Sequence, residues 1–571
     1  MLYRISYTKA YRHFIDIDLI VNEVKESQLE FQLPSWRPGR YELGDFAKNI
    51  KSCHAYDGDG NPLAVAKQNK DKWLVETQGS DCVHIRYQYY ANEMNAGSTY
   101  LDDFQLYMNG VNCLMYVPGR EEEACAIDLV LPLDYEIACA LEPIDDHFLM
   151  AKNYEELVES PLIASANLQH GEYTVNKIDF HIWFQGPYKP DWNRLYKDFT
   201  AFTQTMLDGF GKFPVKTYHF MFQTTDYPLR HGVEHTASTV IALGPSSKID
   251  NVLYEELIGI SSHELYHTWN IKQIRPIELL PYDYTKENYS KLGYLCEGVT
   301  TYMGDLFLFK SEVFNQSEFF KTQEENLNRH FHNEGRLNMS LADSSFDTWL
   351  DGYVAGVPGR KVSIYTEGAL CSLMLDLIIL NKSKGEQSLQ DLINTFYYKY
   401  ARKNKGISEQ IYKDELTTLG GDQAAKILED HVYGIQDYRE SLDLCLSYVG
   451  LAIEEQPNPD FFASKLGVKM QWNGKNYQLT HVFSASEADQ MGMAVGDRIL
   501  SINGTQMSLE NRSQLSNEAM QNEACNLEFA NKYQQQSIQL TTKGNYFVQY
   551  KLFCVNADNE QVKLYDVWSK K

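Results

Sequence analysis

The chain has 571 residues, enough for roughly three to five domains of ordinary size. Its 52 Lys and Arg against 77 Asp and Glu leave a net charge of −25. That charge repels phosphate backbones and anionic bilayers, so nucleic acid and membrane surfaces are excluded as partners. A hydrophobic content of 43% with 23% charged residues excludes wholesale disorder.

From the N-terminus, MLYRISYTKAYRHFIDIDLIV alternates like a strand and lacks the apolar core and cleavage site of a signal peptide. Short runs rich in Val, Ile, Tyr and Phe, broken by Gly, Pro, Asn and Asp, continue to about Tyr188. This texture predicts an all-β domain of sandwich type over 1–188. Asp191 to Phe210 then shows helical spacing through Leu195, Phe199, Phe202 and Met206. The segment from KTYHFMFQTT to TVIALGP reads as two strands, and amphipathic helices dominate to about residue 450. A second, α+β domain over 189–455 follows. The most apolar stretch, Gly368 to Leu380, contains Asp376 and is far shorter than the ~20 residues of a membrane span.

A polar, Pro-containing linker at Glu454 to Pro459 precedes renewed strand signals, so a third domain is expected over 460–571. Within it, Asn503-Gly504 is a hairpin turn signal. The ten cysteines are scattered without Cys-x-x-Cys pairs, the pattern of reduced thiols; cytoplasmic location is the corresponding expectation.

Chemistry concentrates in SSHELYHTWN. A helix from Tyr254 to about Lys272 puts His263 and His267 on one face, four residues apart, with Glu264 beside the first. Two such imidazoles can bind one zinc ion, and the intervening glutamate can take a proton from water. The competing reading is a surface helix with two solvated histidines. A catalytic zinc needs a third protein ligand, and Glu297 in GYLCEGVTTYMGDLF, on a downstream helix, is the candidate. The alternative for Glu297 is a carboxylate that merely stabilises a helix start.

HELYHTWNIKQIRPIEL followed by YLCEGVTTYMGD, with LPSWRPGRYELGDFAKNI, NKDKWLVE and TYLDDFQLYMNGVNCLMYVPG upstream, resembles the glycyl aminopeptidase family of zinc metallopeptidases. This is a gluzincin group, and the similarity runs over essentially the whole chain. The resemblance implies a thermolysin-like catalytic domain that uses one zinc ion to remove N-terminal residues, typically Gly or Ala, from peptides with a free N-terminus. It implies Glu264 as general base and acid, and Tyr365 in VSIYTEGAL as the donor to the oxyanion. HGVEHTAS is similar to the family's Gly-Gly-x-Glu-His segment, making Glu234 the anchor for the substrate ammonium and His235 a contact for its carbonyl. Two positions depart from the family pattern: His231 stands for its first glycine, and Glu367 for a lysine. Thr301 and Asp305 are candidates to orient the ligand histidines, while Asn270 and Arg275 are expected to fix the loop after the zinc helix.

GMAVGDRILSING resembles a PDZ domain. Such a domain takes a C-terminal peptide carboxylate on a Gly-containing loop, here near Leu466-Gly467-Val468; the alternative is a domain that only packs on the catalytic body. An endopeptidase with the same zinc chemistry, and a PDZ peptide-binding protein with vestigial catalysis, are the competing functions. Oligomeric state and the preferred N-terminal residue are not legible at this level.

Overall fold

The computed structural model describes residues 1–354, 356–541 and 543–570. The N-terminal domain is built from β-sheets, as the strand texture predicts. Phe14–Asn22 alternates strictly, burying Ile15, Ile17, Leu19 and Val21, and pairs antiparallel with Leu2–Ser6 and Cys82–Tyr90 in an eight-stranded sheet. Each side chain buried this way contributes about 1.5–3 kcal/mol. A four-stranded and a three-stranded sheet complete the layer structure.

The domain ends earlier than residue 188. Gln169–Val175 and Ile178–Gln185 form a five-stranded sheet with Thr217–Thr224, Ser238–Gly244 and Leu229–Glu234, in that order. These strands read like the preceding β domain because only their pairing, not their composition, assigns them to a sheet. Ile178–Gln185, Thr217–Thr224 and Ser238–Gly244 run parallel at the centre. The last two are buried almost throughout, the expected pattern for a strand covered on both faces.

Leu229–Glu234 is a third strand in a segment whose sequence suggested two. It pairs antiparallel with Ser238–Gly244 at the sheet edge. LRHGVE contains little apolar sequence because the strand's first half is open; an edge strand is not required to be apolar on both faces.

Helices cover the sheet and form the body below it. Trp192–Phe210 starts where Asp191 accepts the Arg194 amide and stops at Gly211, φ 74°. Leu195, Phe199, Phe202 and Met206 are all fully buried in the main core. Thr366–Lys382 holds the apolar stretch and is buried nearly all round, the behaviour of a central helix. Its Asp376 is satisfied by Tyr302 Oη at 2.6 Å and the Leu389 amide at 2.7 Å. No helix among the described residues is long and apolar enough to cross a membrane.

Beyond Leu451–Gln456, residues from Phe461 to Leu540 pack a separate small core. Its antiparallel sheet includes the expected hairpin: Arg498–Ile502 pairs with Thr505–Gln506 across Asn503 and Gly504, both at positive φ. The C-terminal segment does not stay with this domain. Gln549–Cys554 pairs with Leu451–Gln456, and Trp568, on Asn559–Ser569, donates to Tyr302 Oη at 2.8 Å inside the catalytic core. The third domain is therefore an insertion between two strands of the catalytic body, because the buried Leu552, Leu564 and Trp568 find their apolar surface there. The Leu466-Gly467-Val468 loop is covered by its own chain: a side chain at Gly467 would overlap Ser486, and Tyr546 donates its amide to the Ser464 carbonyl at 2.8 Å.

On the sheet face toward the N-terminal domain, His181 and His219 stack at 4.5 Å, and Trp183 Nε1 donates to His219 Nδ1 at 3.2 Å. Burial, then the neighbouring His181 and His170, push His219 down to about 3. A buried ring that stays neutral in the fold stabilises above the ordinary histidine pKa of about 6.5 and loses that contribution as pH falls toward 3. His219→Phe is expected to flatten the fall in Tm between pH 6.5 and 4, measured by thermal melts across that range; an unchanged slope would assign acid sensitivity elsewhere.

Candidate active site

The helix carrying HELYH spans Tyr254–His267 and so ends at the second histidine rather than near Lys272. The chain turns at once, with buried Ile271 at φ 86°, a conformation that costs a β-branched residue roughly 1–3 kcal/mol. The turn has a local consequence: the Asn270 carbonyl lies 3.0 Å from His267 Nδ1. Accepting that N–H fixes the tautomer in which Nε2 is free as a ligand.

Glu297 arrives on a π-helical turn, Tyr294–Gly298, leading into the helix Val299–Lys310. Three close approaches hold it in place, two on the side of the HELYH helix and one on the helix after Tyr365. Asn270 Nδ2 donates to the carbonyls of Leu295 and Cys296 at 2.8 and 3.2 Å and to Thr300 Oγ1 at 3.0 Å. Ser262 Oγ donates to the Gly304 carbonyl at 2.7 Å, where the two helices touch. At Gly298 a methyl would overlap Gly368, so glycine at both positions lets the Glu297 turn meet the helix after Tyr365.

The result is a convergent donor set. His263 Nε2 and His267 Nε2 are 2.9 Å apart, and Glu297 Oε2 lies 3.5 and 3.3 Å from them. A tetrahedral zinc with bonds near 2.0–2.1 Å needs ligand atoms about 3.3 Å from one another, so His263, His267 and Glu297 fit the ion. Although burial opposes charge on both, Glu297 is held down to about 2 by His267 and His263, and His267 is raised to about 9 by Glu297 and Glu234. A second grouping, Glu234, Glu264 and His267, shares His267; it leaves His263 and Glu297 without a role and supplies two carboxylates where a proton carrier is also required.

Glu264 is buried, with Oε2 unpartnered. Burial, reinforced by Glu234 and Glu297, raises its pKa well above the usual carboxylate range, the direction a general base near neutrality needs. Gly232 on the edge strand makes room for it: a methyl there would overlap Glu264 Oε1 and Ile260. Gly232→Ala is therefore expected to keep bound metal but lower kcat about 10²-fold, the cost of displacing a reacting group by about an ångström; metal analysis with steady-state kinetics tests this, and full turnover would refute the packing argument.

Glu234, two residues along the same face, is 3% exposed and Oε1 has no partner. Burial raises its pKa against the pull of Lys272 and His267. His235 is equally buried, with both ring nitrogens unpartnered, and burial beside Lys272 and Arg37 keeps it neutral. Tyr365 precedes Thr366–Lys382, stacks 6.5 Å from the His263 ring and lies close to Tyr353. Burial, with Glu297 nearby, pushes its phenol well up, so it stays a neutral donor.

Other expectations resolve differently. Thr301 bonds back to the Glu297 carbonyl at 2.8 Å, whereas Thr300 is the residue 3.4 Å from His267 Nδ1. Asp305 faces Thr322 and not the histidines. Arg275 pairs with Glu155 of the β domain at 2.6 Å. Glu367, the position departing from lysine, is buried: it accepts the Ser363 amide at 2.8 Å and pairs with His330 at 3.2 Å, bracing the turn before Tyr365.

The sequence reading assigned nothing to the N-terminal domain's Trp36–Tyr41 loop. Trp36 is fully buried, donates to the Asp283 carbonyl at 2.7 Å and packs on Trp349 and Tyr282. Gly39 follows, and a side chain there would overlap the Glu234 carboxylate. The buried pair Lys272 and Glu159, at 2.8 Å, ties the domains on the same side. The available signal was SWRPGRY, aromatic and cationic residues in a tight Pro-Gly turn inside a β domain.

A carboxylate-bearing edge strand over a helix with two histidines and a glutamate, beside a further carboxylate on the next helix, is a donor set that suits a zinc metallopeptidase. Residues 2–166 match the Peptidase M61 N-terminal domain and residues 256–371 match M61 glycyl aminopeptidase. The chain belongs to the M61 glycyl aminopeptidase family and is a zinc metallopeptidase. Its fold is similar over 100% of both chains to an aminopeptidase N family protein from Idiomarina loihiensis, TM-score 0.90 at 23% identity. An M1 zinc metallopeptidase from Deinococcus radiodurans covers 76% of this chain and 94% of its own, TM-score 0.45 at 13% identity. No curated protein sequence matches the chain.

Proposed function

We propose that the protein is a monozinc aminopeptidase that removes one small N-terminal residue, Gly or Ala, from peptides. The observation that carries this reading is the buried, unpartnered Glu234 carboxylate on the edge strand, beside Glu264 and His267. The edge strand is open at Arg230 and buried at Val233 and Glu234, and beyond Glu234 stand Gly39, His235 and the Lys272–Glu159 pair. A peptide added antiparallel to this strand starts at Glu234 and leaves past Gly232 and His231. An endopeptidase needs both ends open.

His263, His267 and Glu297 hold one zinc, which when bound supplies Lewis acidity toward the scissile carbonyl and toward water. Glu234 takes the α-ammonium of the substrate as its counterion. Glu264 removes a proton from the attacking water and returns it to the leaving amine. Tyr365, kept neutral, donates its O–H to the oxyanion, and His235 contacts the substrate carbonyl. The crowding at Gly39 supports a small first residue.

The C-terminal domain enters this reading as a PDZ-type module. Its covered glycine loop favours packing on the catalytic body over capture of a peptide terminus. Ten free thiols support a reducing, cytoplasmic setting. The test is zinc content together with hydrolysis of a glycyl or alanyl anilide and its N-acetyl counterpart, with and without chelator. Chelator-sensitive cleavage of the free amine alone is expected; equal cleavage of both substrates would replace the reading with an endopeptidase.

A further inference from the structure

The strand Gln169–Val175 forms the edge of the five-stranded sheet opposite Leu229–Glu234, with three strands between them. What it carries is separate from the cleft. His170 and Glu172, two residues apart on this strand, point to the same face. Across the antiparallel ladder Glu172 lies opposite His181 and His170 opposite Trp183, and on the next strand His219 lies opposite His181. Direct cross-strand neighbours have Cβ atoms about 4.5–5.5 Å apart, within reach of one ion.

The donor atoms converge. His170 Nε2 lies 3.0 Å from His181 Nδ1, and Glu172 Oε2 lies 3.9 Å from the same nitrogen. One ligand atom from each of the three residues falls within 4.8 Å of the others. Two neutral imidazoles share a single proton in such an N–H···N contact, and a metal ion can take that proton's place. A tetrahedral zinc needs ligand atoms about 3.3 Å from one another, so the rings have to part, and the exposed Glu172 carboxylate to close in, by about half an ångström or less.

The rings are also held in position. Side chains on an exposed edge strand ordinarily turn freely, and ordering them costs entropy. Here His170 stacks on Trp183 at 3.8 Å with the planes 13° apart, and His181 stacks on His219 at 4.5 Å. The lower pair is itself fixed, because Trp183 donates to His219 at 3.2 Å and packs against the small core of Tyr107, Ala138 and Ile163. Burial, joined for His170 by the neighbouring His181, lowers the pKa of both upper rings. Both therefore offer neutral nitrogens at neutral pH, the form a metal binds. Packing accounts for the stacking but not for three donor atoms brought together at its rim.

We propose that His170, Glu172 and His181 form a second metal site, apart from the catalytic centre, that takes a divalent transition-metal ion of the zinc type with water completing its shell. Imidazole donors favour Zn²⁺, Cu²⁺ or Ni²⁺ over Mg²⁺ and Ca²⁺. The bound ion clamps the edge strand to its neighbour.

The test compares zinc uptake by the full-length wild-type protein and by His170→Ala, using equilibrium dialysis against Zn²⁺ and metal analysis. Wild type is expected to take up one equivalent more than His170→Ala, and Glu172→Gln to bind that equivalent at least about tenfold more weakly. One equivalent of Cu²⁺ added to the zinc-loaded protein should quench part of the tryptophan emission through Trp183, and this quenching should be lost in His170→Ala. Hydrolysis of a glycyl anilide should be unchanged in His170→Ala, since three strands separate it from Glu234. The difference of one equivalent is read whether or not the cleft holds zinc, and it should persist in a His263→Ala background, so it stands or falls independently of the aminopeptidase reading. Equal uptake by wild type and His170→Ala overturns the proposal, as does a missing equivalent that disappears together with anilide hydrolysis. Glu172→Gln, at an exposed carboxylate, decides the question if His170→Ala does not fold.

Discussion

Glu264→Gln is expected to retain its zinc and lose about 10³- to 10⁴-fold in kcat. In the proposed centre the three ligand atoms come from His263, His267 and Glu297, which lie within 3.5 Å of one another, so an isosteric amide at 264 leaves that donor set alone. An amide has no useful basicity, and general base catalysis supplies a factor of this order. The neighbourhood magnifies the effect: Glu264 is buried against Gly232, with Glu234 and Glu297 close enough to raise its proton affinity. No other carboxylate in the cluster is free to replace it, since Glu297 is drawn to the two histidines and Glu234 sits farther along the edge strand. Metal analysis and single-turnover kinetics check the result. Activity within tenfold of wild type, at equal zinc content, would remove Glu264 from the proton-transfer role.

Glu234→Gln carries the second large expectation, and it is one of selectivity. A buried carboxylate oxygen without a partner can be satisfied by an ammonium. Removing one member of such a desolvated charge pair costs about 2–4 kcal/mol, roughly 30- to 700-fold. The loss should fall on kcat/KM for a free-amine glycyl anilide. The preference for that substrate over its N-acetyl counterpart should collapse with it, because the blocked compound has no charge for Glu234 to meet. Equal losses on both compounds would mean that Glu234 shapes the site and does not recognise the amine.

Much of this machinery is legible before any tertiary contact is considered, and the failures have specific causes. His263, Glu264 and His267 belong to one helix, so their relative directions follow from 3.6 residues per turn. The hairpin at Asn503-Gly504 and the helix from Trp192 are local in the same sense. Thr300 and Thr301 show where local reasoning stops. Both lie one turn past Glu297, and the choice between them depends on how the two helices cross, which Ser262 and Gly304 decide. The boundary at 188 failed for a related reason, since strands of equal composition can join either of two sheets. The return of the C-terminal helix to Tyr302 was equally hidden, as Trp568 could have been buried in either core.

The sequence by itself determined that His263, Glu264 and His267 share one helix, with the two histidines on one face, because that relation is set by covalent spacing and backbone periodicity. Tertiary structure alone decided what surrounds Glu234. It did so by seating Trp36 on Trp349 and Tyr282 and bringing Gly39 onto Glu234. Those contacts join residues 195 to 313 positions apart in the chain, and their geometry follows from packing two domains against each other, a long-range term that no local spacing contains.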